Sequence, residues 1–358
     1  MRWPPILNLS KRMKIKSRLI SFIILVIAAS IYLYCDAEAA GERGDYYFQR
    51  SRAYTYEEMS EDISSLQERY GAAMTVDFLD TTVDGRKLFH ITIGNPEAEK
   101  QVLVFASIHG REYITTQLVM RQTEDILKKI QKKERYRELD LSQLFDKTAL
   151  HIVPMVNPDG VTLCQMGIES MNFSQTRKRL YSIYEMDEAV ELEAYFHKWK
   201  SNAQGVDLNR NFDARWEEYE DHLGHASSDH YKGVSPESEI ETRALVELTK
   251  KYPFQRTISY HAQGNVIYWY FGQEGDLYDE SKAFAELIAK RTGYQMDADY
   301  EKLDPAGYKD WAISAMKIPS LTVEVGTGGT PVAAEQFSVI WEQNREVLLE
   351  TLYDLYIK

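Results

Sequence analysis

The chain has 358 residues, of which 44% are hydrophobic, and this is enough apolar material for a sizeable folded core. Its 55 acidic and 42 basic residues give a net charge of -13, which argues against a nucleic-acid-binding protein. The cysteines are Cys35 and Cys164 alone, so the sequence excludes a disulfide framework and a zinc site built from cysteines.

The N-terminus has the features of an export signal. Five basic residues between positions 11 and 18 precede an apolar run at 19–34, and Ala37-Glu38-Ala39 has the form of a signal-peptidase site. We expect residues 1–39 to be a signal peptide or an N-terminal membrane anchor, followed by one domain at 40–358. The protein is then secreted or held at the outer face of the cytoplasmic membrane, with the N-terminal segment as its only membrane contact. Without residues 1–39 the chain keeps 36 basic and 53 acidic residues, a net charge of -17.

The remainder alternates between strand and helix patterns. A helix at 56–69 precedes short strands at 75–81 and 87–93, which flank an Asp-Gly turn. Continuous apolar runs at 102–108 and 149–156 indicate strands buried on both faces. We predict the other strands at 256–260, 266–271 and 320–325, and the other helices at 114–133, 237–251, 279–291 and 335–355. This alternation predicts a three-layer α/β/α sandwich with a mixed, mostly parallel central sheet, whose site lies beyond the carboxyl ends of its strands.

A histidine and a carboxylate directly follow the strand at 102–108. His109 and Glu112 lie three residues apart on the turn into the next helix, and such a pair can supply two of the three protein ligands of a catalytic zinc site. The third ligand should stand at the same edge of the sheet. His261 ends the strand TISYH and meets this requirement, whereas His151 lies near the start of its strand and is expected at the opposite edge.

Two further segments carry side chains suited to peptide chemistry. Glu324 lies in the otherwise apolar strand SLTVEV, where a buried charge is costly without a partner, and a carboxylate beside a metal serves as a general base. The segment GVDLNRNF contributes Asn209 and Arg210, and the planar guanidinium of arginine can hold a terminal carboxylate through two hydrogen bonds.

Five motifs in the same order resemble the carboxypeptidase A-like family of zinc metallopeptidases. They are HGREYIT at 109–115, NPDG at 157–160, GVDLNRNF at 205–212, the stretch from YKGVSPESEIET to SYHAQGNVIYWYFG at 231–272, and TVEVG at 322–326. The resemblance extends over residues 46–358, and WKSNAQGVDLN at 199–209 is similar to bacterial members that cut the γ-D-glutamyl–diaminopimelate bond of cell-wall peptides.

The resemblance implies a zinc carboxypeptidase catalytic domain that binds one Zn²⁺ ion through His109, Glu112 and His261. It implies Glu324 as the catalytic base. It also implies that Asn209 and Arg210 hold the terminal carboxylate of a peptide substrate and that Arg111 lines an adjoining subsite. A monomer is expected.

The chain departs from the family pattern at three positions. Lys200 follows Trp199 where the family has an arginine that stabilises the oxyanion, so Lys200 is the candidate, with Arg177 and Arg179 as alternatives. The family's closing-loop tyrosine has no clear counterpart, and Tyr300 and Tyr308 both lie near, with Tyr308 as the candidate substrate contact. Lys309 stands where the family sets its side-chain preference.

A lysine at that position predicts an acidic released residue, such as diaminopimelate in a murein peptide of the bacterial cell wall. The alternatives are a general scavenging carboxypeptidase, a small-molecule deacylase on the same fold, and a catalytically inactive wall-binding module. The inactive module requires a missing ligand or base, and all four residues are present.

Overall fold

The computed structural model describes residues 53–297 and 303–358. The segment predicted as a signal peptide or anchor, residues 1–39, lies outside these ranges and stays a prediction. Within the ranges that are described, no helix is both long enough and apolar enough to cross a bilayer.

An eight-stranded mixed sheet forms the centre of the described structure. Its strands are β1 (Met74–Thr81), β2 (Lys87–Gly94), β3 (Lys100–Ala106), β6 (Thr148–Val153), β7 (Phe254–His261), β8 (Val266–Tyr268), β9 (Gln295–Asp297) and β10 (Ser320–Glu324). They lie in the order β1-β2-β6-β3-β7-β10-β8-β9, and the short strands β4 (Arg135–Tyr136) and β5 (Leu139–Asp140) pair separately. Four of the seven neighbouring pairs in the large sheet are parallel, so the predicted mixed, mostly parallel sheet is confirmed.

Helices cover the sheet. They are α1 (Tyr56–Tyr70), α2 (Ile114–Gln131), α3 (Leu141–Lys147), α4 (Pro158–Met166), α5 (Ser174–Met186), α6 (Leu192–His197), α7 (Ile240–Lys251), α8 (Gly275–Thr292), α9 (Tyr308–Ser314), α10 (Phe337–Asn344) and α11 (Val347–Ile357). Leu103 and Phe105 of β3 join residues of α7 and α9 in one buried cluster. Val102 and Val104 point to the opposite face and are equally buried, and α2 and α11 contact the same strand. Each central strand is therefore buried on both faces, as its continuous apolar run predicted.

Several elements differ from the sequence prediction. The helix predicted at 335–355 is two helices, α10 and α11, which are separated by a turn at Arg345 and Glu346. The strand predicted at 266–271 ends at Tyr268. Helix α4 was not predicted, because seven of its nine residues are buried and its apolar positions therefore show no one-sided period.

Two histidines form a buried pair on β2 and β6, away from the carboxyl ends of the strands. His90 Nε2 lies 2.9 Å from His151 Nδ1, the rings are stacked, and Tyr252 lies against both. Burial lowers the pKa of His90 to about 4 and that of His151 to about 3, and Lys251 contributes to both shifts. The folded protein therefore holds both rings neutral at a pH where the unfolded chain binds protons.

This pair predicts a loss of stability in mild acid. Below the ordinary histidine pKa of 6.5 the unfolded chain takes up protons that the folded chain excludes, so the free energy of unfolding should fall from about pH 6.5 toward pH 4. The two groups together account for on the order of 2–4 kcal/mol between pH 7 and pH 5. Urea titrations of the metal-free protein over this range should show that the free energy of unfolding depends less steeply on pH in His90→Asn than in the wild type. An unchanged slope would mean that the pair is not buried in its neutral form.

Candidate active site

The proposed site residues stand at the carboxyl ends of three adjacent strands. His109 follows β3, His261 ends β7, and Glu324 ends β10, where it lies directly beside His261 in the parallel register. Because β3, β7 and β10 are neighbours in the sheet, their ends bring these side chains to one cleft of about 640 Å³. The strand ends that the sequence singled out therefore lie at one edge of the sheet.

Two glycines allow the loops of this edge to pack closely. A Cβ on Gly110 would lie 2.5 Å from the carbonyl oxygen of Gly160 and 2.9 Å from that of Trp199. The Gly110 N–H donates to the Lys200 carbonyl at 2.9 Å, and the Asn157 side chain donates to the Ser201 carbonyl at 3.0 Å. The HGRE and NPDG motifs thus hold the segment that carries Lys200 against the turn that carries His109.

The three candidate metal ligands converge on one point. Glu112 Oε1 lies 2.8 Å from His109 Nδ1, and Glu112 Oε2 lies 3.1 Å from His261 Nδ1. All three residues are nearly fully buried, and the Ala262 N–H also donates to Glu112 Oε2 at 3.2 Å. Burial alone would raise the pKa of Glu112, but the two imidazoles hold this pKa well below its usual range. Glu112 is therefore ionised, as a metal ligand must be.

This donor set fits a zinc ion. One donor atom from each of His109, Glu112 and His261 lies within 4.8 Å of the other two, and two imidazoles with one carboxylate leave an open coordination position for catalysis. In the part of the chain that the structure describes, no other group of three or more histidine, cysteine or acidic side chains converges in this way.

A further carboxylate orients the first ligand. Asp207 Oδ1 lies 3.2 Å from His109 Nε2, and Asp207 Oδ2 accepts from Lys200 Nζ at 2.6 Å. Burial would raise the pKa of Asp207, but Lys200 and His109 hold this pKa well below its usual range. A carboxylate on the second nitrogen fixes the tautomer and the orientation of a metal-binding histidine.

Asp207 lies within the GVDLNRNF segment, but no role was predicted for it from the sequence. Its place between Val206 and Leu208 was the signal that could have identified it, because an acidic residue that is buried beside such apolar neighbours needs a partner.

Glu324 lies at the cleft without a hydrogen bond to either histidine among the described contacts. Burial raises the pKa of Glu324 to about 7, with the neighbouring charge of His261 lowering it and that of Glu112 raising it. A carboxyl group with a pKa near neutrality can accept and return a proton during a reaction.

The predicted cations also line the cleft. Arg111, Lys200, Arg210 and Lys309 all face it, together with Asn209. Arg111 donates to the Lys198 carbonyl at 3.2 Å, and Lys309 Nζ donates to the Tyr270 carbonyl at 3.0 Å and pairs with Asp310. Asn209 is oriented by the Tyr308 N–H, which donates to its amide oxygen at 3.0 Å. The structure brings these residues together, and their individual roles stay predictions.

Tyr308 is the exception among the predicted site residues. Its side chain is fully buried, its ring packs against Phe105 and Phe212, and its hydroxyl lies 2.9 Å from Thr249 Oγ1. The predicted contact between this side chain and a substrate is therefore wrong, because the ring belongs to the core under α9.

The alternatives that the sequence left open are partly resolved. Lys200 faces the cleft, whereas neither Arg177 nor Arg179 is among the described residues that line it. Arg177 instead donates to the Met171 carbonyl beside α5. Tyr300 lies outside the described residues. Cys164 is buried, and its thiol donates to the His197 carbonyl at 3.0 Å.

Comparisons with known proteins agree with this geometry. The family model described as zinc carboxypeptidase matches residues 59–347. The γ-D-glutamyl-L-diamino acid endopeptidase 1 of Lysinibacillus sphaericus is 32% identical over 311 residues, which cover 84% of this chain and 72% of that protein. The carboxypeptidase O of Bos taurus is 25% identical, with 87% of this chain and 81% of that protein covered.

A solved structure shares the fold. The crystal structure of thrombin activatable fibrinolysis inhibitor superposes with a TM-score of 0.69 at 18% identity, and the match covers 87% of this chain and 76% of that chain. The sandwich, the His-Glu-His cluster at its strand ends and the extent of the family match lead to one conclusion. The chain belongs to the zinc carboxypeptidase family and is a metallopeptidase.

Proposed function

We propose that the chain hydrolyses the bond between a γ-D-glutamyl group and a diamino acid in bacterial cell-wall peptides, and that it does so outside the cytoplasm. The observation that carries the substrate assignment is the pair of cations, Arg210 and Lys309, in the cleft that holds His109, Glu112 and His261. Two cations suit a released residue with two carboxylates, and diaminopimelate is such a residue. The similarity to an endopeptidase whose name specifies a diamino acid supports the same assignment.

The mechanism follows from the position of each side chain. His109, Glu112 and His261 would hold the zinc ion, which when bound supplies Lewis acidity for the scissile carbonyl and for water. Glu324 takes a proton from the attacking water and returns it to the leaving amine. Lys200, which Asp207 holds in place at 2.6 Å, supplies positive charge for the developing oxyanion. Asn209 and Arg210 position the substrate through its terminal carboxylate.

Lys309 is expected to set the preference for an acidic released residue. Its ammonium lies in the cleft beside the Tyr270 carbonyl, and a second substrate carboxylate there gains a charge-assisted hydrogen bond. Lys309→Met keeps the aliphatic stem and removes the charge. It should lower kcat/KM for a diaminopimelate-terminated peptide by about 10- to 100-fold. The value of kcat/KM for a leucine-terminated peptide should change little.

Kinetics on the two peptides with both proteins check this expectation, with Lys290→Met, on the exposed last turn of α8, as the control variant. If the wild-type protein prefers leucine, the general scavenging carboxypeptidase is correct and the acidic-substrate assignment is wrong. Activity on N-acyl amino acids without activity on peptides would instead support the deacylase.

A further inference from the structure

Arg210 is already engaged within the protein. Its Nη2 atom lies 2.5 Å from Asp304 Oδ2, and its Nη1 atom donates to the Asn209 carbonyl at 2.8 Å. The guanidinium also lies over the Tyr219 ring, 5.1 Å from its centroid. The Arg210 side chain is 13% exposed and that of Asp304 is 67% exposed, so the arginine is largely buried while the carboxylate is open to solvent. A substrate carboxylate that binds Arg210 must therefore replace Asp304 or lie beside it.

Asp304 lies on an acidic part of the cleft wall. Asp297 at the end of β9 also lines the cleft, and both carboxylates contribute to raising the pKa of Tyr268, for which burial is the larger cause. Lys309 and its partner Asp310 line the same cleft. The cleft is therefore lined by carboxylates as well as by the cations Arg210 and Lys309.

This arrangement penalises a released residue that carries only negative charge. When its carboxylate takes the place of Asp304 on Arg210, two like charges come together in a partly desolvated cleft. A released residue that also carries an ammonium reverses the effect, because the ammonium replaces Arg210 as the partner of Asp304. After this exchange Arg210 and Asp304 each keep a partner of opposite charge.

We propose that Asp304 is a specificity-determining residue that accepts the second ammonium group of the diamino acid released by the enzyme. The proposal rests on the proposed function and assigns the recognition of the amino group to Asp304, beside the recognition of carboxylates by Arg210 and Lys309.

The test compares two γ-D-glutamyl peptides that differ by one amino group. One ends in diaminopimelate and the other in 2-aminopimelate, which keeps both carboxylates and lacks the second amine. The wild-type protein should favour diaminopimelate by about tenfold in kcat/KM, mainly through KM. Asp304→Asn should remove this preference, because it should lower kcat/KM for the diaminopimelate peptide and raise kcat/KM for the 2-aminopimelate peptide. Asp279→Asn removes the same charge from the exposed surface of α8 and should keep the wild-type ratio.

Two outcomes overturn the proposal. If Asp304→Asn keeps the wild-type ratio of kcat/KM for the two peptides, Asp304 does not recognise the second amino group. An equal gain on both peptides shows that Asp304 only competes with the substrate for Arg210.

Failure of the proposed function looks different, because the wild-type protein then cleaves neither peptide. In that case thermal shifts with free diaminopimelate and free 2-aminopimelate still test Asp304. A larger shift with diaminopimelate that is lost in Asp304→Asn supports the assignment, and equal shifts with the two ligands contradict it.

Discussion

Replacing Glu324 with glutamine should lower kcat by about 100- to 10,000-fold while zinc binding and stability stay near wild-type values. The substitution keeps the shape of the side chain and removes its ability to carry a proton, which is the role the mechanism assigns to it. Glu324 is not among the predicted zinc ligands, and its backbone pairing with β7 and β8 does not depend on the carboxylate. Steady-state kinetics, metal analysis and thermal unfolding of the same preparation check the three parts of this expectation.

A matched control separates this effect from a general loss of charge. Glu193→Gln on α6 alters an exposed carboxylate outside the cleft and should leave kcat unchanged. If Glu324→Gln kept more than about a tenth of the wild-type kcat, Glu324 would not be the base. Another group in the cleft would then have to take the proton from water.

Replacing His261 with asparagine should remove the zinc ion and the activity together. The wild-type protein is expected to bind one zinc ion per chain through two imidazoles and Glu112. Loss of an outer partner such as Asp207 typically costs 10- to 100-fold in metal affinity, so loss of a direct ligand should cost more than about 100-fold. Competition with a chromogenic chelator measures the affinity without any assay of hydrolysis.

The control for this variant is a histidine that the structure places in an exposed loop. His222→Asn should leave the zinc stoichiometry and affinity at wild-type values, because His222 lies outside the cleft. Full zinc binding by His261→Asn would show that the converging donors in the cleft are not the metal site.

The site was largely predictable because its residues sit where secondary structure ends. His109 and His261 follow apolar runs that form buried parallel strands, and Glu324 ends a third such run. Parallel strands present their carboxyl ends at one edge of a sheet. A residue at the end of an apolar run could therefore be assigned to that edge from sequence. The sequence alone did not predict that β10 lies beside β7, since strand order depends on tertiary packing.

The errors concern residues whose position depends on tertiary packing. Tyr308 follows Gly307 at the start of a short helix, and only the packing of α9 on β3 decides that its ring enters the core. Asp304 meets Arg210 across 94 positions of sequence, and no local pattern predicts a contact over such a separation. Asp207 was visible in a recognised motif, but its contact with His109 depends on two loops that meet only in the folded protein.

We propose that this cleft uses zinc to cleave the bond between a γ-D-glutamyl group and a diamino acid. Mass-spectrometric analysis of cell-wall peptides treated with zinc-loaded and chelated protein tests it most directly. We expect the zinc-loaded protein to release the diaminopimelate-containing fragment, and we expect chelation to abolish this product. Two results would contradict this proposal. One is that the cell-wall peptides stay intact while the protein releases leucine efficiently from ordinary peptides. The other is equal cleavage before and after chelation.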